Sequence, residues 1–167
     1  MPDILIIDDH DSVREGLELL LRRRGHRTRS AESGSRGLEL LREEPADLVI
    51  TDLKMARMDG LQVLARVKEH TPETEVMVIT AHGTIEKVVE AMKLGAADFL
   101  TKPFSSEEFG VKVDRLMEAR AERVRLQREN QALRVENTYL REEARARYGE
   151  IVGESRPMQE EIGRAHV

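Results

Sequence analysis

The chain has 167 residues, 40% hydrophobic and 35% charged, with a formal net charge of −5; that length suits one domain of about 100–150 residues plus an appendage. The absence of Cys excludes disulfide frameworks, thiolate metal sites and cysteine nucleophiles. An aromatic content of 3% without Trp offers no stacking platform for single-stranded nucleic acid, and the acidic balance gives no general attraction to a phosphate backbone.

Residues 1–104 carry 15 basic and 19 acidic side chains, with Gly and Pro scattered as turn markers. Ile4-Leu5-Ile6-Ile7, Leu48-Val49-Ile50 and Val76-Met77-Val78-Ile79 are short aliphatic runs of the kind that form strands buried on both faces of a parallel sheet. Arg27-Thr28-Arg29 and Phe99-Leu100-Thr101 are weaker strand candidates. Between these runs lie helical stripes: Val13, Leu17, Leu20 and Leu21; Leu38 with Leu41; Leu61, Leu64 and Val67; and Ile85, Val88, Val89 and Met92. Gly25 and Gly95 stand where helices should end. Five strand–helix units predict a doubly wound, five-stranded parallel α/β domain with its site at the carboxyl ends of the strands.

Those ends are chemically biased. The first run leads into Asp8-Asp9, the third strand into Thr51-Asp52, the fourth into Thr80-Ala81, and the fifth into Lys102-Pro103. In a parallel sheet three carboxylates, a hydroxyl and an ammonium would share one edge. Carboxylates gathered in this way repel unless a cation compensates. A hard divalent ion with oxygen ligands, Mg²⁺ above all, fits them together with phosphate oxygens. Any single Asp after a strand is usually a turn former, and Asp11 reads as the N-cap of the following helix rather than a ligand; the joint pattern over four strand ends is what points to chemistry. Neither GxGxxG nor the longer phosphate-loop pattern occurs, which excludes nucleotide binding by such a loop.

Asp8-Asp9, Asp52 within TDLKMARMDG, Thr80-Ala81 and GAADFLTKPF together resemble the receiver domain of two-component response regulators, over about residues 3–120. The resemblance implies a flavodoxin-like fold in which Asp52 accepts a phosphoryl group from the phosphohistidine of a sensor histidine kinase. It implies that Asp9, Asp52 and the backbone carbonyl of Lys54 bind Mg²⁺ directly, and Asp8 through water. It implies also that Lys102 contacts the phosphoryl group, that Thr80 and Phe99 form the switch pair, and that the peptide before Pro103 is cis. Two residues depart from the family pattern. Ala56 stands where Pro is usual, loosening that loop, and Phe99 replaces Tyr, so an outward-facing state gains no hydroxyl bond.

Residues 115–147 hold nine Arg and six Glu with no Gly or Pro, an uninterrupted helix pattern. Phe109, Val113, Leu116 and Met117 suit packing against the sheet before the helix continues alone. A heptad register places Leu116, Arg123, Asn130, Asn137 and Ala144 at a, and Ala119, Leu126, Leu133, Leu140 and Arg147 at d. Leu at consecutive d positions with Asn at a predicts a parallel two-stranded coiled coil. Attractive pairs across the dimer are Glu129 with Arg134 and Glu136 with Arg141. The alternative is a solvated single helix. Arg120, Arg123, Arg125 and Arg128 precede the leucines as in a basic zipper, but Glu118, Glu122 and Glu129 interrupt them, so no direct nucleic-acid contact by this segment is expected.

Ile151-Val152-Gly153-Glu154-Ser155-Arg156-Pro157-Met158-Gln159 resembles the opening of the AAA+ ATPase module of sigma-54-dependent activators. The expected organisation is a receiver over 1–120, a coiled-coil dimerisation linker over 116–148, and the start of a truncated AAA+ domain over 149–167. The resemblance thus implies the regulatory part of an NtrC-like transcriptional activator, a phosphoacceptor rather than an enzyme, whose ATPase lies outside the sequence. The parent protein would meet sigma-54 RNA polymerase and DNA. An alternative is an Asp-nucleophile phosphatase or phosphotransferase with true turnover; that class carries a second carboxylate two residues after the nucleophile, where this chain has Lys54. A flavin or nucleotide module on a similar fold is a third reading. No apolar run approaches the ~20 residues of a membrane span and no signal-peptide pattern opens the chain, so a cytoplasmic location without membrane contact is expected.

Overall fold

The computed structural model describes residues 1–81 and 85–154, with side chains as far as Gly149. The elements alternate as the hydrophobic runs dictate: β1 (Asp3–Ile7), α1 (Asp11–Arg23), β2 (Arg27–Ala31), α2 (Gly34–Glu43), β3 (Leu48–Asp52), α3 (Gly60–His70), β4 (Glu75–Thr80), α4 (Ile85–Lys93), β5 (Asp98–Thr101) and α5 (Ser106–Glu154). The strands form one parallel sheet in the order β2-β1-β3-β4-β5. Met1–Arg120 make one compact unit and the chain from Ala121 a second.

In the first unit the pleat sends alternate side chains to two cores. Leu5, Ile7, Val49, Val76 and Val78 meet Leu38 and Leu41 of α2, Val63, Leu64 and Val67 of α3, and Ala91 of α4. Ile4, Ile6, Leu48, Ile50, Met77, Ile79 and Leu100 meet Leu17 and Leu21 of α1 and Phe109, Val113 and Met117 of α5. The central strands β1, β3 and β4 are buried along their whole length, which explains why they lack polar alternation. At the edge, β2 is polar and partly exposed, and Arg29 ties it to Asp3 (3.1 Å) and to the carbonyls of Leu40 and Glu44. Gly25 and Gly95 follow α1 and α4 with φ of 87° and 105°, left-handed conformations that end the helices.

The α4 stripe falls on a helix as expected, with Val88 half-buried, Ala91 buried, and Ile85, Val89 and Met92 exposed. Helical spacing defines a stripe without saying what covers it. One local expectation is corrected. Asp11 is not an N-cap; it is the first residue of α1, the cap position belongs to His10, and the Asp11 carboxylate pairs with Arg14.

In the second unit α5 continues as unbroken helix through Gly149 and Gly153 to Glu154. Leu126, Leu133 and Leu140 keep about half their surface exposed, and Asn130 and Asn137 are exposed too. Ser155 to Gln159 of the ATPase-like segment lie outside the described residues.

Candidate functional site

The strand order places the topological switch between β1 and β3, since β1 leads out to β2 on one side while β3 lies on the other. The crevice beyond the carboxyl ends of these two strands is where open α/β sheets bind ligands. The register pairs Ile7 with Thr51, so Asp8 and Asp52 continue neighbouring strands side by side.

Asp52 ends β3 with its carboxylate buried. One oxygen accepts from the Lys54 backbone N–H at 3.2 Å, and the other lies 3.3 Å from the Lys102 ammonium. Lys102 arrives from the end of β5, held where its own N–H donates to the Thr80 carbonyl at 2.8 Å. Its ammonium also stands 3.7 Å from Asp8. The Asp8 side chain is buried (3% exposed), whereas that of Asp9 is 36% exposed at the mouth. Arg14 from α1 donates to the Asp8 carbonyl at 2.6 Å and fixes the turn after β1. Thr80 is buried at the end of the neighbouring strand β4.

Behind Asp52, α3 approaches the strand as closely as backbone allows. A Cβ on Gly60 would lie 2.3 Å from the Asp52 carbonyl oxygen and 2.7 Å from Leu53 Cα, so no larger residue fits without moving the acceptor. The Asp59–Gln62 capping box starts that helix. Between Asp52 and Asp59 the loop contains a tight turn from Met58 N–H to the Ala56 carbonyl (2.9 Å), with Arg57 at φ 69°.

Away from the carboxylates, Phe99 sits on β5 opposite Val78 and is half-buried against the α2–α3–α4 core. Lys112 of α5 lies 5.3 Å above its ring and donates to the Phe99 carbonyl at 2.8 Å and to Asp98 at 3.2 Å. The Lys102–Pro103 peptide bond is cis.

The structure thus brings Asp8, Asp9, Asp52 and Lys102 together, sets Thr80 on the adjoining strand end, and leaves Phe99 further along β5. One group in the cluster escaped the sequence reading. His10 Nδ1 lies 3.1 Å from Asp8 and 3.0 Å from Asp9, and ligand atoms of Asp8, Asp9, His10 and Asp52 all lie within 4.8 Å of one another. The available signal was an imidazole directly after two carboxylates. The donor set, three carboxylates converging on one point, fits a divalent cation.

The family model for the response regulator receiver domain matches residues 4–114. The chain belongs to the response regulator receiver family. The receiver is 41% identical over 106 residues to the transcriptional regulatory protein ZraR of Klebsiella oxytoca, covering 64% of this chain and 24% of that one. It is 34% identical over 130 residues to the regulatory protein AtoC of Escherichia coli K12, covering 78% and 28%. Among solved structures, NtrX from Brucella abortus matches with a TM-score of 0.72 and 32% identity, covering 75% of this chain and 29% of that one. A receiver domain from Clostridium thermocellum matches at a TM-score of 0.69 and 30% identity, covering 72% and 98%. The chain spans about a quarter of the length of the curated relatives it matches. These relatives place the receiver with the NtrC-like regulators that the sequence resembles. Among the described residues no helix is long and apolar enough to cross a membrane.

Proposed function

We propose that this receiver takes a phosphoryl group on Asp52 from the phosphohistidine of a sensor histidine kinase and passes the signal to a sigma-54-dependent ATPase in a longer parent protein. The observation that carries the reading is the Asp52 carboxylate, buried at the end of β3 with one oxygen 3.3 Å from Lys102 and facing Asp8 and Asp9. In this scheme an Asp52 oxygen attacks phosphorus, the bond from phosphorus to the donor nitrogen breaks, and its electron pair leaves with the imidazole. Lys102 offsets negative charge on the phosphoryl oxygens, and the Lys54 N–H orients the Asp52 carboxylate. Mg²⁺, when bound, supplies the charge neutralisation that phosphoryl transfer requires; Asp9, Asp52 and the Lys54 carbonyl would hold it, with Asp8 through water.

The product adds roughly one to two negative charges beside Thr80. Thr80, Phe99 and the face made by α4, β5 and the start of α5 form the element that this charge biases. On α4 the exposed Ile85, Val89 and Met92 supply the apolar surface of that face. Linker residues Leu126, Asn130, Leu133, Asn137 and Leu140 pair two copies as a parallel coiled coil. Contacts with sigma-54 RNA polymerase and DNA belong to the parent protein.

Acetyl phosphate as donor tests the acceptor. Wild-type chain should gain one phosphoryl group by intact mass, only with Mg²⁺ present, and Asp52→Asn should gain none. Modification retained in that variant refutes the assignment.

A further inference from the structure

We propose that His10 is an additional ligand to the cation held by Asp9 and Asp52, with Asp8 through water, and that it biases this receiver toward divalent first-row transition ions over Mg²⁺. The inference rests on reading the acidic cluster as a cation site.

The geometry begins with the backbone. His10 occupies the N-cap position of α1 in an extended conformation (φ −100°, ψ 116°), and its side chain makes no capping bond. The residue is pinned on both sides: its N–H donates to Asp8 Oδ1 at 2.9 Å, and its carbonyl accepts from Arg14 N–H at 3.1 Å. The ring is therefore released from helix capping and directed back over the strand end. Its Nδ1 stands 3.1 Å from Asp8 Oδ1 and 3.0 Å from Asp9 Oδ1. Adjacent ligands of an octahedral ion with bonds of roughly 2.1 Å are about 3.0 Å apart, so the separation from Asp9 matches one edge of a coordination shell, with Asp8 beside it acting through water. The imidazole is 66% exposed, which leaves a hydrated ion an open approach to its nitrogen.

The chemistry of that nitrogen sets the preference. Mg²⁺ favours oxygen donors and retains water at its remaining positions. Imidazole suits later first-row ions, whose affinity for mixed nitrogen and oxygen sites rises along the series from Mn²⁺ to Cu²⁺. A carboxylate cluster alone follows the same order more weakly. Replacing one oxygen donor or water by His10 Nδ1 leaves phosphoryl oxygens their positions while strengthening the hold on a borderline ion.

Isothermal titration of the untagged chain with Mg²⁺ and, separately, with Co²⁺ tests the inference, because nitrogen coordination also changes the visible absorption of Co²⁺. Wild type should bind Co²⁺ more tightly than Mg²⁺. His10→Ala and His10→Gln should each lower Co²⁺ affinity about tenfold, shrink the Co²⁺/Mg²⁺ ratio and shift the Co²⁺ spectrum. An unchanged ratio and spectrum, with Mg²⁺ still bound, overturns the role of His10 alone. Tighter binding of both ions in the variants also overturns it, since His10 would then be a cation competing with the metal. Failure of the wild-type chain to bind either ion removes the cation-site reading and this inference together.

Discussion

Ile4, Leu5, Ile7, Leu48, Val49 and Phe109 of the receiver are wholly buried, while Leu126, Leu133 and Leu140 further along α5 are 50%, 59% and 52% exposed. Both regions are rich in aliphatic residues, yet only one covers them with its own chain. The receiver is specified by burial on two faces of a sheet, and its strand ends can hold like charges close together because the cores beneath are rigid. Among the described residues the helix beyond Ala121 has no such cover. Same-helix ion pairs such as Arg147–Glu143 at 2.8 Å contribute only a few tenths of a kcal/mol each. Leucines exposed at seven-residue intervals are what the proposed second chain would cover, so on that proposal the receiver folds as a unit and the linker is completed by association.

Core truncation should expose that contrast most strongly. Phe109→Ala removes a ring stacked on Phe104 at 5.7 Å and buried under the sheet, and should cost about 3–5 kcal/mol in thermal or denaturant unfolding of the receiver. Leu133→Ala should leave receiver stability unchanged and weaken dimer association by roughly 1.4 kcal/mol or more, tenfold in Kd by sedimentation. Replacing both Asn130 and Asn137 by Leu should raise linker thermal stability while admitting trimers or tetramers, because amides enclosed in the proposed dimer would select the two-stranded register at a cost. A monomer at tens of micromolar in the wild-type chain would contradict the pairing.

Smaller effects sharpen the receiver side. Arg57 holds a left-handed φ of 69°, which costs a side-chain-bearing residue about 1–2 kcal/mol. Arg57→Gly should therefore stabilise the receiver by about 0.5–1 kcal/mol in denaturant melts, after the entropy of a freer unfolded chain is subtracted. Asp114 tests the packing of α5 by pH. Burial pushes its carboxyl up, but hydrogen bonds from Arg24 at 2.8 Å and His26 at 2.9 Å outweigh this and hold it below the usual carboxylate range. A depressed folded pKa gives stability that is present above the unfolded value and lost as pH falls through the folded one. Wild type should exceed Asp114→Asn in stability at neutral pH, with the gap closing below about pH 4.

The sheet was legible because strands buried on both faces leave continuous aliphatic runs, and the cluster because its members directly follow those runs. Phe109, Val113 and Met117 were legible as the packed part of α5 by their helical spacing. Other features depend on three-dimensional context. The outward face of α4 follows from Ala91 being its one buried residue, and periodicity alone cannot tell a core stripe from a surface stripe. Asp11 has the right chemistry for an N-cap, but Arg14 claims its carboxylate and His10 takes the position. The aim of the His10 ring comes from an extended backbone and two hydrogen bonds that no spacing rule encodes. Gly60 likewise reads as an ordinary turn residue until the Asp52 carbonyl is seen beside it.

On the proposed function the receiver supplies one acceptor, Asp52, at the meeting point of β1 and β3. Peptide-level mapping of the phosphoryl group in the wild-type chain, after reaction with Mg²⁺ and phosphoramidate, a donor with the same phosphorus–nitrogen bond as phosphohistidine, puts this to the test. A single modified peptide should carry the group, on Asp52. A phosphoryl group found instead on Asp8, Asp9 or His10 would contradict it.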